Sequence, residues 1–247
     1  MARVDIVIPV LNEERALPGC IARLREFLGA SLSGHAWRVV VADNGSTDET
    51  LPVAQALVDE FPKEVACVHL DVRGRGRALR KTWLESDADV LCYMDVDLST
   101  GLGALPIMVD GIVNDGVHVA FGSRLAKGAA IERSFKREFI SRAYNMVIRG
   151  MMRTHFRDAQ CGFKAVSRGA AQALIPSVVN NHWFFDTELL VIAEKRGFRM
   201  LEVPVAWDED PDSRVNIVQT VLEDLKGLAR LRLGGIPEVE PPVGLRE

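Results

Sequence analysis

The 247 residues are long enough for one large domain or two small ones, and 48% of them are hydrophobic, as in an ordinary chain with a packed core. A net charge of −4 argues against general nucleic-acid binding. No stretch approaches the roughly eighteen apolar residues that span a bilayer.

The opening, MARVDIVIPVLNEE, meets Glu13 and Glu14 too soon for a signal peptide and reads as a first strand, VDIVIPV. A cytoplasmic protein is therefore expected. LPGCIARLREFLG places Cys20, Ile21, Leu24, Phe27 and Leu28 on one helix face and ends at Gly29. WRVVVAD is a second strand, stopping at Asp43. In GSTDETLPVAQALVDEF, Ser46 with Glu49 three residues later has the capping-box pattern, and Thr50 is the other candidate cap. EVACVHLD, DVLCYMD and VHVAFGS are further strands, separated by the helical stretches RALRKTWLES and GALPIMVDGIVND.

The second half is less regular. SFKREFISRAYNMVIRGMM predicts a helix with Phe135, Phe139, Tyr144, Val147 and Met151 on one side. CGFKAVS predicts a short strand, FDTELLVIAEKRG a helix closed by Gly197, and FRMLEVPVAW a strand. NIVQTVLEDLKGLARLRLG predicts a last amphipathic helix with Val218, Val221, Leu222, Leu225 and Leu228 in register. The proline-rich end reads as a mobile extension. Strands too apolar for a wet face, joined by helices, imply an α/β fold with a mainly parallel central sheet flanked by helices on both faces. One domain is expected over residues 1–233, with a nucleotide-binding half (1–123), an acceptor-binding half (124–233) and a flexible tail (234–247).

Ligands of such a sheet bind off the carboxyl ends of the strands. The first four ends carry NEE, DNGSTD, DVRGRGR and DVDLST, consistent with one crevice. Asp95 and Asp97 lie two apart in an extended segment and face the same way. Two such carboxylates repel unless a cation joins them, and Mg²⁺ takes one or two carboxylates plus substrate phosphates. The pair is half a metal site, which a diphosphate would complete; the plainer alternative is a solvated turn or a cap beside Ser99. In DVRGRGRALRKTW, Arg73, Arg75, Arg77, Arg80 and Lys81 surround Gly74 and Gly76, a backbone suited to phosphate, or else a loop of solvated arginines. Asp43, at a strand tip before Asn44–Gly45, can accept from a base imide or a ribose hydroxyl. Between Arg124 and Arg153 the chain is locally +6, leaving about −10 elsewhere. The four cysteines lack metal-site spacing and are expected to be reduced and mostly buried.

In the order PVLNEE, DNGSTD, RGRGRA, DVDLST, FGSR, DAQCGFK, FDTELL and EVPVAW, over roughly residues 4 to 216, the chain resembles glycosyltransferase family 2 with the GT-A fold. Within it, the dolichyl- or polyprenyl-phosphate glucosyltransferase branch is the most similar. The resemblance implies that Pro9, Glu13 and Asp43 hold the nucleotide, that Arg73, Gly76, Arg77, Asp95 and Asp97 serve the nucleotide-sugar, and that Asp95 and Asp97 bind Mg²⁺ or Mn²⁺. Asn44 departs from the family, where a second Asp is common. So does RGRGR, where Lys often stands. Asp97, Arg124 and Asp158 are the catalytic candidates. Arg124, Arg133, Arg137, Gln160, Asp186 and Glu188 are candidates for the acceptor side, with Asp186 alternatively capping its helix. Trp183 and Trp207 either stack on a ligand or pack in the core. The implied activity is inverting transfer of a hexose, glucose from UDP-glucose, to polyprenyl phosphate. The basic, apolar-interleaved segment 135–153 would lie on the membrane surface. The alternatives are a soluble or polymeric acceptor, and a non-catalytic nucleotide-sugar-binding regulator.

Overall fold

A computed structural model describes the backbone of residues 1–132, 135–208 and 217–242, and the side chains outside 130–140 and 208–219. The chain alternates β1 (Arg3–Val10), α1 (Leu17–Ser31), β2 (Ala36–Asn44), α2 (Thr50–Glu60), β3 (Val65–Leu70), α3 (Arg75–Glu85), β4 (Val90–Met94), α4 (Ala104–Val113) and β5 (Val119–Ser123). There follow β6 (Ala130–Glu132), α5 (Phe135–Met152), β7 (Phe163–Ser167), α6 (Arg168–Leu174), a 3₁₀ turn (Ile175–Ser177), α7 (Phe185–Lys195), β8 (Met200–Pro204), β9 (Ala206–Asp208) and α8 (Ile217–Gly234). Seven strands form one sheet in the order β3-β2-β1-β4-β7-β5-β8. β7 alone runs antiparallel to its neighbours. The expected mainly parallel α/β fold is the one observed.

The strands are apolar on both faces because both are covered. Successive residues of one strand enter different cores, as period-two geometry requires. Val7, Val40, Ala42, Leu91 and Tyr93 pack with Leu79 and Trp83 of α3, Ile148 of α5, Leu174 of α6, Leu189 of α7 and Leu228 of α8. Ile6, Ile8, Val39, Val41, Val90 and Cys92 pack with Ile21, Leu24 and Leu28 of α1, Ala54 of α2 and Leu105, Met108 and Val109 of α4. Each fully buried aliphatic side chain contributes about 1.5–3 kcal/mol relative to exposure.

Several local readings change. α1 runs two residues past Gly29. The Ser46–Glu49 capping box does not form: Glu49 is the N-cap residue without a side-chain cap, and Ser46 Oγ instead accepts from the Asn12 N–H (2.9 Å). FRMLEVPVAW divides at Val205, β8 joining the large sheet while β9 pairs with β6 in a two-stranded one. α6 was not anticipated, although Ser167 before an alanine-rich stretch caps it by accepting from the Ala170 N–H. On α5 the core face is Tyr144, Ile148 and Met152, while Met146 and Val147 are exposed; the side chains of Phe135 and Phe139 lie outside the described residues. On α8 the core face is Asp224, Leu228 and Leu231, with Leu222 and Leu225 turned outward. Residues of the expected flexible tail make contacts with the body of the domain as far as residue 242. Arg196 donates to the carbonyls of Ile236 and Pro237, Ile236 and Val239 pack on the core, and Pro242 lies against Gly169. Residues 243–247 lie outside the described residues. Among the described residues no helix is long and apolar enough to cross a membrane.

Candidate active site

β2 and β3 extend the sheet to one side of β1, and β4 to the other. The chain therefore reverses its direction of growth between β1 and β4, where parallel sheets open a crevice at the carboxyl edge. The loops after β1 and β2 are stitched together there. Asn12 adopts a positive φ of 57°, and its Oδ1 accepts from the Thr47 N–H (2.8 Å). Thr50 Oγ1 accepts from the Glu13 N–H (2.8 Å). Pro9 pairs with Ala42 across these strands, and Asp43 stands opposite Val10 and His69. Asp43 is fully buried, with Oδ1 accepting from the Ser46 N–H (3.2 Å) and Oδ2 2.6 Å from His69 Nδ1. That hydrogen bond raises the His69 pKa above its ordinary value. Asn44, the residue that departs from the family, accepts the Gly74 N–H on Oδ1 (2.6 Å) in a buried contact and so joins the β2 loop to the RGRGR loop.

The arginines of that loop divide by role. Arg73 is exposed and Arg77 half-buried, and neither forms an ion pair among the described residues. Arg80 donates to the Asn181 side chain (2.5 Å) and to the Val178 and Asn180 carbonyls, a structural clamp. Arg75, not singled out from the sequence, is the central one. Its guanidinium donates to Asp95 Oδ1 (2.6 Å) and Asp186 Oδ2 (2.7 Å) and lies 4.9 Å from the ring centroids of both Tyr93 and Trp183. Burial acts to lower its pKa, but Asp95, Tyr93 and Asp186 outweigh that and raise it well above the ordinary value. Gly76 is buried against Phe185, whose Cβ would stand 2.7 Å from an added methyl. Its smallness is thus a packing requirement of α3 on α7.

Burial raises the pKa of Asp95, with Asp97 and Asp186 adding to the effect and Arg75 opposing it. A Cβ at Gly162 would fall 1.8 Å from Asp95 Oδ2, so glycine there lets the carboxylate lie against the β7 approach. Asp97 Oδ1 accepts from the Ser99 N–H (2.9 Å), and Leu98 between them holds a positive φ of 51°. Asp97 forms no ion pair among the described residues. No group of three or more His, Cys, Asp or Glu side chains is placed to hold a metal among the described residues. Two hard oxygen donors at the crevice fit Mg²⁺ or Mn²⁺ only if a diphosphate and water supply the other ligands.

Asp186 does not cap its helix: its Oδ1 accepts from the Tyr93 hydroxyl and lies 3.2 Å from the Lys164 ammonium. Lys164 is wholly buried and also donates to the carbonyls of Cys161 (2.8 Å) and Ala159 (3.1 Å). Across the crevice, Arg124 donates three times to Asp158, from its backbone N–H (3.0 Å), Nε (2.7 Å) and Nη2 (2.9 Å), and lies 5.6 Å from the Trp207 ring centroid. Burial alone would raise the Asp158 pKa; Arg124 overcomes it and holds the carboxyl below the usual range. Asp158 was expected to be catalytic. It is fully buried, with both oxygens on Arg124.

The acceptor candidates are also engaged internally. Glu188 is fully buried, accepting from Arg230 (2.6 Å) and from the Asn180 N–H (2.9 Å). Gln160 donates to Asp224 Oδ2 of α8 (3.1 Å). Burial pushes the Asp224 carboxyl up to about 6, and its Oδ1 has no partner. Arg133 and the side chain of Arg137 lie outside the described residues. All four cysteines are free; Cys20, Cys92 and Cys161 are buried, and burial pushes the Cys20 and Cys161 thiols up to about 12. They are packing residues, as expected.

Residues 5–175 match the model of glycosyl transferase family 2. The chain belongs to glycosyl transferase family 2. The glycosyltransferase class expected from the motifs is thereby borne out at the level of the family. Glycosyltransferase AglD of Haloferax volcanii is 39% identical over 220 residues, covering 89% of this chain but 35% of its own length, so this chain spans about a third of that relative. A dolichyl-phosphate beta-glucosyltransferase of Drosophila melanogaster is 29% identical (86% of this chain, 69% of that protein), and one of Mus musculus is 28% identical (94% and 75%). Among solved structures, glucosyl-3-phosphoglycerate synthase of Mycobacterium tuberculosis with Mn²⁺, UDP-glucose and phosphoglyceric acid superposes with a TM-score of 0.69 at 18% identity (96% of this chain, 81% of that one). At that identity the likeness establishes the shared fold.

Proposed function

We propose that this family 2 glycosyltransferase moves a hexose, glucose from UDP-glucose, onto a polyprenyl phosphate, with Mg²⁺ or Mn²⁺ held by Asp95 and Asp97. The observation that carries the reading is the charge layout of the crevice. The Asp95/Asp97 pair lies beside two guanidiniums, Arg75, held by Asp95 and buried Asp186, and Arg124, held by buried Asp158, each near a tryptophan ring. Arg73 and Arg77 add positive charge on the donor side.

The reaction joins two anionic reactants, so its demand is for fixed positive charge rather than for a base. A phosphate monoester has a second pKa near 6 and is already nucleophilic at neutral pH. Its oxygen attacks the anomeric carbon as the bond to the donor diphosphate breaks, and the configuration inverts. Pro9, Glu13 and Asp43 line the nucleotide end, with Asp43 oriented by His69. Arg73 and Arg77 meet the diphosphate. Arg124, held rigid by Asp158, meets the acceptor phosphate. When bound, the divalent ion supplies Lewis-acid stabilisation of the departing diphosphate. Glu188, Asp186 and Gln160 act by fixing α7, Arg75 and α8 around the acceptor side.

Peripheral attachment to the cytoplasmic face of a membrane belongs to the same proposal. Exposed Met146 and Val147 on α5 stand among exposed Arg142, Arg149 and Arg153, a composition suited to an anionic surface. The test is a transfer assay with UDP- and GDP-hexoses, Mg²⁺ or Mn²⁺, and short polyprenyl phosphate in detergent. Extractable glycolipid from one donor is expected. Metal-dependent donor binding without glycolipid moves the acceptor to a soluble or polymeric molecule. Donor binding with neither transfer nor hydrolysis points to a regulatory protein.

A further inference from the structure

We infer that Arg75 is a built-in counter-ion for Asp95 that disfavours the metal alone and makes metal and donor diphosphate bind as a unit. The inference rests on the donor reading above.

The geometry is specific to this one arginine. Arg75 is the first residue of α3, and the backbone before it is fixed. Gly74 has a φ of 152°, its N–H is bound by Asn44, and the Asn181 carbonyl lies 2.6 Å from where a Cβ would be. The following residue, Gly76, is seated on Phe185. The Arg75 side chain is 10% exposed and bridges Asp95, 40% exposed, to Asp186, 3% exposed. Lys164, fully buried, is the second cation on Asp186. Two carboxylates and two cations therefore form a set with no net charge. Asp97, the other half of the pair, has no cation among the described residues.

A divalent ion arriving alone at Asp95 meets a guanidinium already 2.6 Å from that carboxylate. With Asp97 counted, it takes the site from one net negative charge to one net positive charge, in a partly desolvated place where its approach to the guanidinium is repulsive. A diphosphate arriving with it removes that positive excess and gives Arg75 a new anionic partner. Linkage makes the effect reciprocal: each ligand raises the affinity for the other, and Arg75 contributes to the factor. Asp186 is then a positioning residue acting through Arg75. Without it, the guanidinium has Asp95 alone and competes harder with the metal.

The experiment titrates Mn²⁺ into the full chain and reads free Mn²⁺ by its electron paramagnetic resonance, with and without saturating UDP. Arg75→Gln is expected to bind Mn²⁺ alone at least fivefold more tightly than the wild type and to show a smaller tightening by UDP. Asp186→Asn is expected to bind Mn²⁺ alone more weakly. Arg73→Gln, which removes an exposed charge from the same loop, is expected to shift Mn²⁺ alone by less than twofold. Thermal melts identify any variant that fails to fold; if Arg75→Gln does, the sign of the Asp186→Asn shift decides. The inference is overturned if Arg75→Gln binds Mn²⁺ alone no better than the wild type, if Asp186→Asn binds it no worse, or if Arg73→Gln gains as much. If UDP leaves the wild-type Mn²⁺ affinity unchanged, the donor reading fails, and the coupling with it. If UDP tightens Mn²⁺ normally while Arg75→Gln behaves as wild type, the coupling alone fails.

Discussion

Two buried arginines face the crevice, and they are held in opposite ways. Arg124 gives three hydrogen bonds to one carboxylate, Asp158, which is fully buried and hydrogen-bonds to no other cation among the described residues. Arg75 divides its guanidinium between two carboxylates, one buried and one open to the crevice. The first is a closed pair, in which one buried carboxylate holds the guanidinium rigid. The second is an open one, in which Asp95 can change partner. On the proposed function, the closed pair suits an arginine that holds an anionic ligand in place and the open one an arginine that exchanges partners.

The largest expected effect comes from the open side. Asp97→Asn removes the one carboxylate of the pair without a counter-ion, and turnover is expected to fall at least ~10³-fold while the melting temperature stays within the range of a surface change. Steady-state transfer and a thermal scan check both halves; near-native turnover would put the metal elsewhere. Asp158→Ala opens the closed pair and leaves a guanidinium that is 14% exposed without a partner. Losing one member of a buried pair costs about 3–5 kcal/mol, so urea unfolding should show that loss. If Asp158→Ala were neutral in stability, the distinction between the two arginines would fall.

A third carboxylate sharpens the comparison because it forms no ion pair among the described residues. Asp224, on α8, is buried and its pKa is pushed up to about 6. A carboxyl that ionises near 4 unfolded and near 6 folded binds more protons in the folded state between those values. Stability is therefore lost as pH rises through that window, and the penalty is full above it. Asp224→Asn keeps an acceptor without the charge and is expected to stabilise the fold by on the order of 1–3 kcal/mol at pH 8, with no difference at pH 4. Unfolding curves at the two pH values measure it. The smallest effect lies on the surface: Met146→Glu on exposed α5 should leave stability unchanged within about 0.5 kcal/mol and reduce co-sedimentation with anionic liposomes.

The strands, the sheet class and the positions of the loops were legible in the sequence because they depend on neighbours. Alternation sends Ile6 and Val7 to opposite cores, and polar residues at the strand ends meet at one edge once the strands are parallel. Asp95, Asp97 and Arg124 stood out for the same reason, as charged residues where an apolar run stops, and Asp158 through its place in the DAQCGFK motif. What each was bonded to did not. Arg75 looked no different from Arg73 or Arg77 in RGRGR, and its pairing with Asp186 spans 111 residues. Lys164 lay in an apolar strand, where only the partners around its ammonium explain a buried charge. On α8, Leu222 and Leu225 matched the apolar register as well as Leu228 did, and packing against α5 and α7 chose the other face. Local periodicity and strand-end polarity determined the scaffold and the address of the site. The partition of charge within it, closed at Arg124 and open at Arg75, was decided only by the tertiary structure, because a buried ion is placed by the distant groups that must compensate it.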